Sequence, residues 1–330
     1  MIFLVTSRRK RDDKYYDEEQ RNYGYDYLYD YNYAELGQDA FTGKGRRGFE
    51  IALLQELKNL RDNHGINTPK IGIYIHGYNN DFQESIDEVF DFEKSMIPII
   101  GYRPIMVGFS WPSKGAIKNY ISDREEVRDS VPAFTRFLRD INSFLTKNES
   151  NCFSTSYCVA HSMGNYLLRK GMEYLSDHLG TPSGRLMFNE TIMIAPDLSS
   201  HDIQMFGKGQ YISDFSRRVH VYYSRHDRAL KASSIKRFGG NRLGRHGAID
   251  YDDLRSNVIM INAEKYASKE GVNGLKDRAN EQVSVHSSHR YHPNILNDIA
   301  QVLSSEYRDT IPGREQIEID EDRKNHYRLI

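Results

Sequence analysis

The sequence predicts an α/β fold built on a mostly parallel central sheet with helices on both faces. Three observations carry that prediction. Between Phe49 and Ser305, short apolar runs alternate with longer segments whose apolar residues recur at helical spacing. The runs are too short for helices and end in polar or glycine-containing punctuation. Each is separated from the next by enough chain for a helical crossover, which implies right-handed connections and parallel neighbours. In such sheets ligands bind beyond the carboxyl ends of the strands, so the punctuation residues are the candidates for chemistry.

Residues 2 to 6 read as a first strand. The cluster Arg8-Arg9-Lys10-Arg11 is followed at once by Asp12 and Asp13 and reads as a solvated loop. Tyrosines then alternate at Tyr23, Tyr25, Tyr27, Tyr29, Tyr31 and Tyr33, a period that suits either a strand with its rings on one face or a surface flap. From Phe49 the positions Leu53, Leu57 and Leu60 share a helical face, with Gly65 as the stop. Lys70–Ile75 reads as a strand opening into His76-Gly77-Tyr78-Asn79-Asn80, followed by a helix through Phe82, Ile86, Val89, Phe90 and Met96. Ile105–Phe109 is the next strand, ending in Ser110-Trp111-Pro112-Ser113, and a long helix follows with Val127, Val131, Phe134, Phe137, Leu138, Ile141 and Leu145 buried.

Further strands are expected at Thr191–Ala195, Val219–Tyr223 and, as the last, Val258–Ile261. The final helix starts near Pro293, and the residues beyond Pro312 read as a charged, peripheral tail. The expected organisation is residues 1–48 as an N-terminal strand and Tyr-rich segment packed on the main domain, 49–310 as that domain, and 311–330 as the tail. A chain of 330 residues with net charge -1 offers no global field for nucleic acid. With only Cys152 and Cys158 there is no disulfide framework, and no run approaches a membrane span. A cytoplasmic location is the expectation.

The stretch with the most chemistry in it is Tyr157-Cys158-Val159-Ala160, then His161-Ser162-Met163-Gly164, then Tyr166, Leu167 and Leu175 at helical spacing. It reads as strand, sharp turn, helix. Such a turn raises a serine hydroxyl above the sheet edge, with the free N–H groups and positive end of the helix beneath it. Ser162 is therefore the expected nucleophile, and Met163 N–H one donor to an oxyanion. Ala160 stands where a glycine is usual, and Gly164 is expected because a side chain there would press on the strand.

A serine hydroxyl needs a base, and the base needs an orienting group. Asp227, which ends the second strand after the turn, is preferred to Asp197 as the acid. The base is sought in His286-Ser287-Ser288-His289-Arg290-Tyr291-His292, where His289 is preferred and His286 and His292 are the alternates. Tyr78 N–H, made accessible by Gly77, is the expected second oxyanion donor, and Trp111 either walls the pocket or packs beneath the loop. His76 and His161 read as structural. The histidine spacing could also suggest a metal, but Val283, Val285 and Pro293 disfavour the helix that such a site would need. No metal or cofactor is expected.

With these residues assembled, the chain resembles a bacterial group of alpha/beta-hydrolases named as being of unknown function. The likeness rests on His76-Gly77-Tyr78-Asn79, Phe109-Ser110-Trp111-Pro112-Ser113, Ala160 to Asn165, Ala195-Pro196-Asp197, Ser224 to Leu230 and Asn241-Arg242-Leu243-Gly244. It implies the alpha/beta-hydrolase fold and a serine triad, and it favours Asp227 and His289. The sequence departs at Ser288-His289-Arg290-Tyr291, where similar proteins show glycine, histidine, serine, tyrosine. The expected activity is a serine hydrolase of esters, thioesters or amides acting on a small acyl substrate. A hydrolase-like scaffold that binds a protein or small ligand without turnover, and an acyltransferase with the same triad, are the alternatives. The loop between Leu230 and Asp250 is a candidate lid.

Overall fold

A computed structural model describes residues 2–11, 14–19, 21–22, 26–27, 30–34, 42–43, 45–113, 120–148, 154–179, 186–236, 240–304, 306–317 and 325–330. The chain opens with β1 (Ile2–Thr6), buried along its length. β2 (Arg8–Arg11) and β3 (Lys14–Glu19) form an antiparallel hairpin, as do β4 (Arg21–Asn22) and β5 (Asp26–Tyr27). The basic cluster is thus a strand rather than a solvated loop, and Arg8 is fully buried. β6 (Asp30–Ala34) returns antiparallel along β1, with Tyr33 opposite Phe3 and Tyr31 opposite Val5, and β7 (Thr42–Gly43) pairs with β6. The rings of the alternating tyrosines, and Tyr23, Tyr25 and Tyr29 altogether, lie outside the described residues.

α1 (Gly45–His64) buries Phe49, Leu53, Leu57 and Leu60 as their spacing predicts, and Gly65 ends it at φ 68°. β8 (Lys70–Ile75) leads to α2 (Phe82–Ile100), which starts on a reciprocal cap: Asp81 accepts from Glu84 N while Glu84 accepts from Asp81 N. Then come β9 (Ile105–Ser110), α3 (Tyr120–Lys147), β10 (Ser154–His161), α4 (Gly164–Leu179) and β11 (Phe188–Ile194). The short α5 (Gln210–Asp214), β12 (Ser216–Tyr223), α6 (Arg228–Lys236), α7 (Leu243–His246) and β13 (Val258–Asn262) follow. α8 (Pro293–Leu303) starts with Pro293 in its first turn, where a missing N–H costs nothing.

The charged tail is not peripheral. β14 (Arg314–Gln316) and β15 (His326–Leu329) extend the sheet, and β15 pairs parallel with β13, burying His326, Tyr327 and Leu329. The 11-stranded sheet has the order β14-β15-β13-β12-β11-β10-β8-β9-β1-β6-β7. Pairing is parallel from β15 through β1 and antiparallel at the two edges.

Because both faces are covered, the strands are continuously apolar and alternate residues serve opposite cores. Val5, Ile73, Val107 and Cys158 meet α1, α3 and α4, whereas Leu4, Tyr74, Met106 and Val159 meet α2 and α8. Burying Leu296, Ile299 and Val302 of α8 contributes about 1.5–3 kcal/mol each. The chain steps from β8 outward to β9 and then back to β10 on the other side of β8. The carboxyl ends of β8 and β10 therefore border the crevice where such sheets take ligands.

Candidate active site

Ser162 sits at the end of β10 in the left-handed region, φ 51°, which a non-glycine residue adopts only where the surroundings hold it there. The holding groups are visible. Ser162 N donates to Ile194 O at 3.0 Å, Asp197 N donates to Ser162 O at 3.1 Å, and Asn165 Nδ2 donates to Ala160 O at 2.8 Å. Gly164 is required on steric grounds, since a Cβ there would lie 2.5 Å from Ile75 O and 2.6 Å from His76 O. Gly77 allows the β8 loop to approach, a Cβ on it falling 3.2 Å from Ser162 Cβ.

Ser162 lines a cavity of about 320 Å³ together with Tyr78, Asp197 and His286. The α6 residues Ala229, Leu230, Ala232 and Ser233 form another part of its wall. Residues 231–236 of the expected lid thus belong to a helix against the cleft, while 237–239 lie outside the described residues.

Asp227 is buried at the start of α6 and uses both oxygens. Oδ1 accepts from Leu230 N at 3.0 Å, capping the helix, and Oδ2 accepts from His286 Nδ1 at 2.6 Å. A carboxylate on Nδ1 fixes the proton there and leaves Nε2 of the neutral ring as the basic atom. Burial works against the charged imidazole, but the Asp227 carboxylate outweighs it and holds His286 above the usual 6.5. Burial pushes the Asp227 carboxyl up, and His286 with the Leu230 N–H brings it below the usual 3.8.

The expectation that His289 partners Asp227 is corrected. Residues Val285–Arg290 form a 3-10 helix, capped by Ser284 Oγ accepting from Ser287 N at 3.1 Å, so His286 does not continue a strand. One such turn advances about 6 Å, and the His289 ring lies 4.4 Å from that of His161. There its Nε2 meets Tyr74 Oη at 3.2 Å, and that hydroxyl in turn donates to Glu88 Oε2. His289 Nε2 thus serves as a donor, and its Nδ1 is buried without a partner among the described residues. Burial, with His161 and Arg290 nearby, holds the ring well below 6.5. His292 is the N-cap of α8, its Nδ1 accepting from Asn294 N at 3.2 Å. Asp197 accepts from Ser233 Oγ at 2.7 Å and faces Arg242 Nε at 3.5 Å.

Trp111 is fully buried and does not wall the cavity. Its ring stacks on His76 at 5.1 Å, and Nε1 donates to His76 O at 3.1 Å. His76 in turn donates from Nδ1 to Gly77 O and accepts at Nε2 from Trp111 N, and burial with Arg8 nearby lowers it to about 3. Two groups that sequence reasoning missed secure the same loop. Ser113 Oγ accepts from Asn79 N at 2.7 Å, while Arg8 donates to Asn80 O at 2.9 Å and Ser110 Oγ at 2.8 Å and pairs with Asp17. A third, Glu88, is buried among His161, Tyr74 and Arg290. Its position next to Val89 on an apolar helix face was the available signal.

Residues 55–299 match the family described as alpha/beta hydrolase of unknown function (DUF900). The chain belongs to that family. Within the wider set of relatives, the uncharacterized protein alr1448 of Nostoc sp. is 29% identical over 178 residues, 46% of this chain. The chain spans 44% of that relative's length. Among solved structures, the alpha/beta-hydrolase family member described here is similar to Aspergillus fumigatus lipase B, with 13% identity, TM-score 0.42, 73% of this chain covered and 53% of the lipase. It is also similar to an alpha/beta hydrolase from the metagenome of Lake Arreo, Spain, with 12% identity, TM-score 0.33, and 68% and 74% covered. At this distance neither likeness bears on substrate.

Proposed function

We propose that this family member is a serine hydrolase of an ester, thioester or amide. The observation that carries the reading is the 2.6 Å pair of His286 Nδ1 with Asp227 Oδ2 in a ring that faces the same cavity as Ser162. Ser162 Oγ attacks the acyl carbon while His286 Nε2 accepts its proton, and Asp227 holds the imidazole in that tautomer and stabilises the imidazolium. The backbone N–H groups of Met163, at the start of α4, and Tyr78 are the donors for the oxyanion, each worth about 3 kcal/mol of barrier. His286 then protonates the leaving group, and water releases the acyl group from Ser162. Asp197, already engaged by Ser233 and Arg242, shapes the cavity.

The test is covalent labelling by a fluorophosphonate probe alongside turnover of short p-nitrophenyl esters. The wild-type chain labels and turns over, and Ser162→Ala does neither. Labelling of Ser162→Ala at the wild-type rate would place the nucleophile elsewhere. A wild-type chain that neither labels nor turns over any chain length would favour a binding scaffold.

A further inference from the structure

A second opening is lined in part by His286. It is a groove of about 680 Å³ that shares Ala229 and His286 with the nucleophile's cavity, so the two adjoin at these residues. Its floor includes Val272 and Val283, both buried, and its rim carries Arg228, Lys269 and His226. No carboxylate is among its lining residues; Glu270 and Glu281 neighbour it in sequence without lining it.

Several arginines elsewhere are engaged by carboxylates, as Arg46, Arg103, Arg217, Arg255 and Arg278 are. Among the described residues, the side chains of Arg228 and Lys269 enter no ion pair. Two unneutralised cations over an apolar floor make a local positive field on a chain whose net charge is -1.

We propose that this groove binds the leaving group of the substrate and that this leaving group carries an anion, a carboxylate or a phosphate, held by Arg228 and Lys269. The inference rests on the hydrolase reading above and deepens it. His286 must reach both the Ser162 proton and the departing atom, so the leaving group extends on the imidazole's side of the acyl carbon. The acyl part occupies the cavity walled by α6. In the step itself the Ser162 Oγ–C bond forms and the C–O bond to the leaving alcohol breaks, its oxygen taking the proton that His286 received from Ser162. Water then adds to the acyl-enzyme, giving the acid and restoring Ser162 with no other reactant.

Three butyrate esters test this: 4-butyryloxybenzoate, 4-butyryloxyphenyl phosphate and the neutral methyl 4-butyryloxybenzoate. At low salt, wild-type kcat/KM is expected to be about 10-fold or more higher for an anionic ester than for the neutral one, and 0.5 M salt should compress that ratio. In Arg228→Gln/Lys269→Gln the ratio falls to within about 2-fold, and Arg228→Glu/Lys269→Glu inverts it. Preference for the phosphate arm identifies a phosphate group, and preference for the benzoate arm a carboxylate. A wild-type ratio near one, or a ratio that survives in the glutamine variant, overturns the proposal while leaving the hydrolase reading intact. Absence of turnover for all three, with no fluorophosphonate labelling, sinks the hydrolase reading instead.

Discussion

Gly164→Ala adds one methyl at the first residue of α4 and tests how tightly the Ser162 turn is held. Its Cβ would lie 2.5 Å from Ile75 O, 2.6 Å from His76 O and 3.0 Å from the Ile75 carbonyl carbon. An ordinary C···O approach is about 3.3 Å or more, so β8 and α4 must separate by about 0.8 Å. Both neighbours are backbone, one of them in a parallel strand paired on both sides, so no side chain can swing away. Overpacking of this kind costs about 3 kcal/mol, offset by at most about 1 kcal/mol from alanine's better helix propensity. The expected net loss is about 2 kcal/mol by urea unfolding. The displaced loop is the one that carries Tyr78, so the labelling rate of Ser162 in the folded variant should fall by about 10- to 100-fold. Gly171→Ala is the internal comparison, because the nearest neighbours of its Cβ are side-chain atoms of Phe134 and Thr135 rather than backbone. A Gly164→Ala chain as stable as wild type and labelled as fast would refute the packing argument.

Other outcomes follow from the same geometry. The basic form of His286 is the neutral ring and its pKa lies above 6.5, so kcat/KM should rise with pH along an acid limb centred above 6.5. Asp227→Asn removes the charge that raises it while leaving the burial, so the limb should move to lower pH as activity falls by about 10⁴-fold; an unmoved limb would mean that another group titrates. Arg8→Ala should destabilise the fold by about 3 kcal/mol, since it leaves Asp17 and the Asn80 carbonyl without their shared partner, and should lower kcat more than it changes KM. Unchanged kinetics in the folded Arg8 variant would show that the β8 loop holds its shape without the N-terminal hairpin. Ser162→Ala, as above, should abolish labelling.

The order of the strands β8 to β13, and of the helices α1 to α4 and α8, was legible because both faces of a parallel sheet are covered, which makes each strand a continuous apolar run and each helix a clean stripe. The Ser162 turn was legible for a similar reason: close backbone approach at Gly164 and Gly77 leaves a mark on the residues themselves. What stayed hidden depended on partners far away in the chain. Arg8 is buried only because Ser110, Asn80 and Asp17 surround it, and nothing local in a basic run distinguishes it from its exposed neighbours. β15 was missed because its buried positions are spread over four residues in a charged segment. The choice between His286 and His289 turned on a single 3-10 turn: residues three apart eclipse in such a helix, so spacing alone could not say which one reaches Asp227. Trp111 was open in the sequence between a wall and a support, and its indole bond to His76 O decided for support.

The proposed chemistry depends most on His286, bound to Asp227, acting as the base for Ser162. The direct measurement is the rate of fluorophosphonate labelling of Ser162 in His286→Ala and His289→Ala, each first shown to be folded by circular dichroism and thermal unfolding. His286→Ala should lose at least about 100-fold in rate, while His289→Ala should label within about 10-fold of wild type and unfold at a lower temperature. The reverse pattern, with His286→Ala labelled normally and a folded His289→Ala silent, would contradict it.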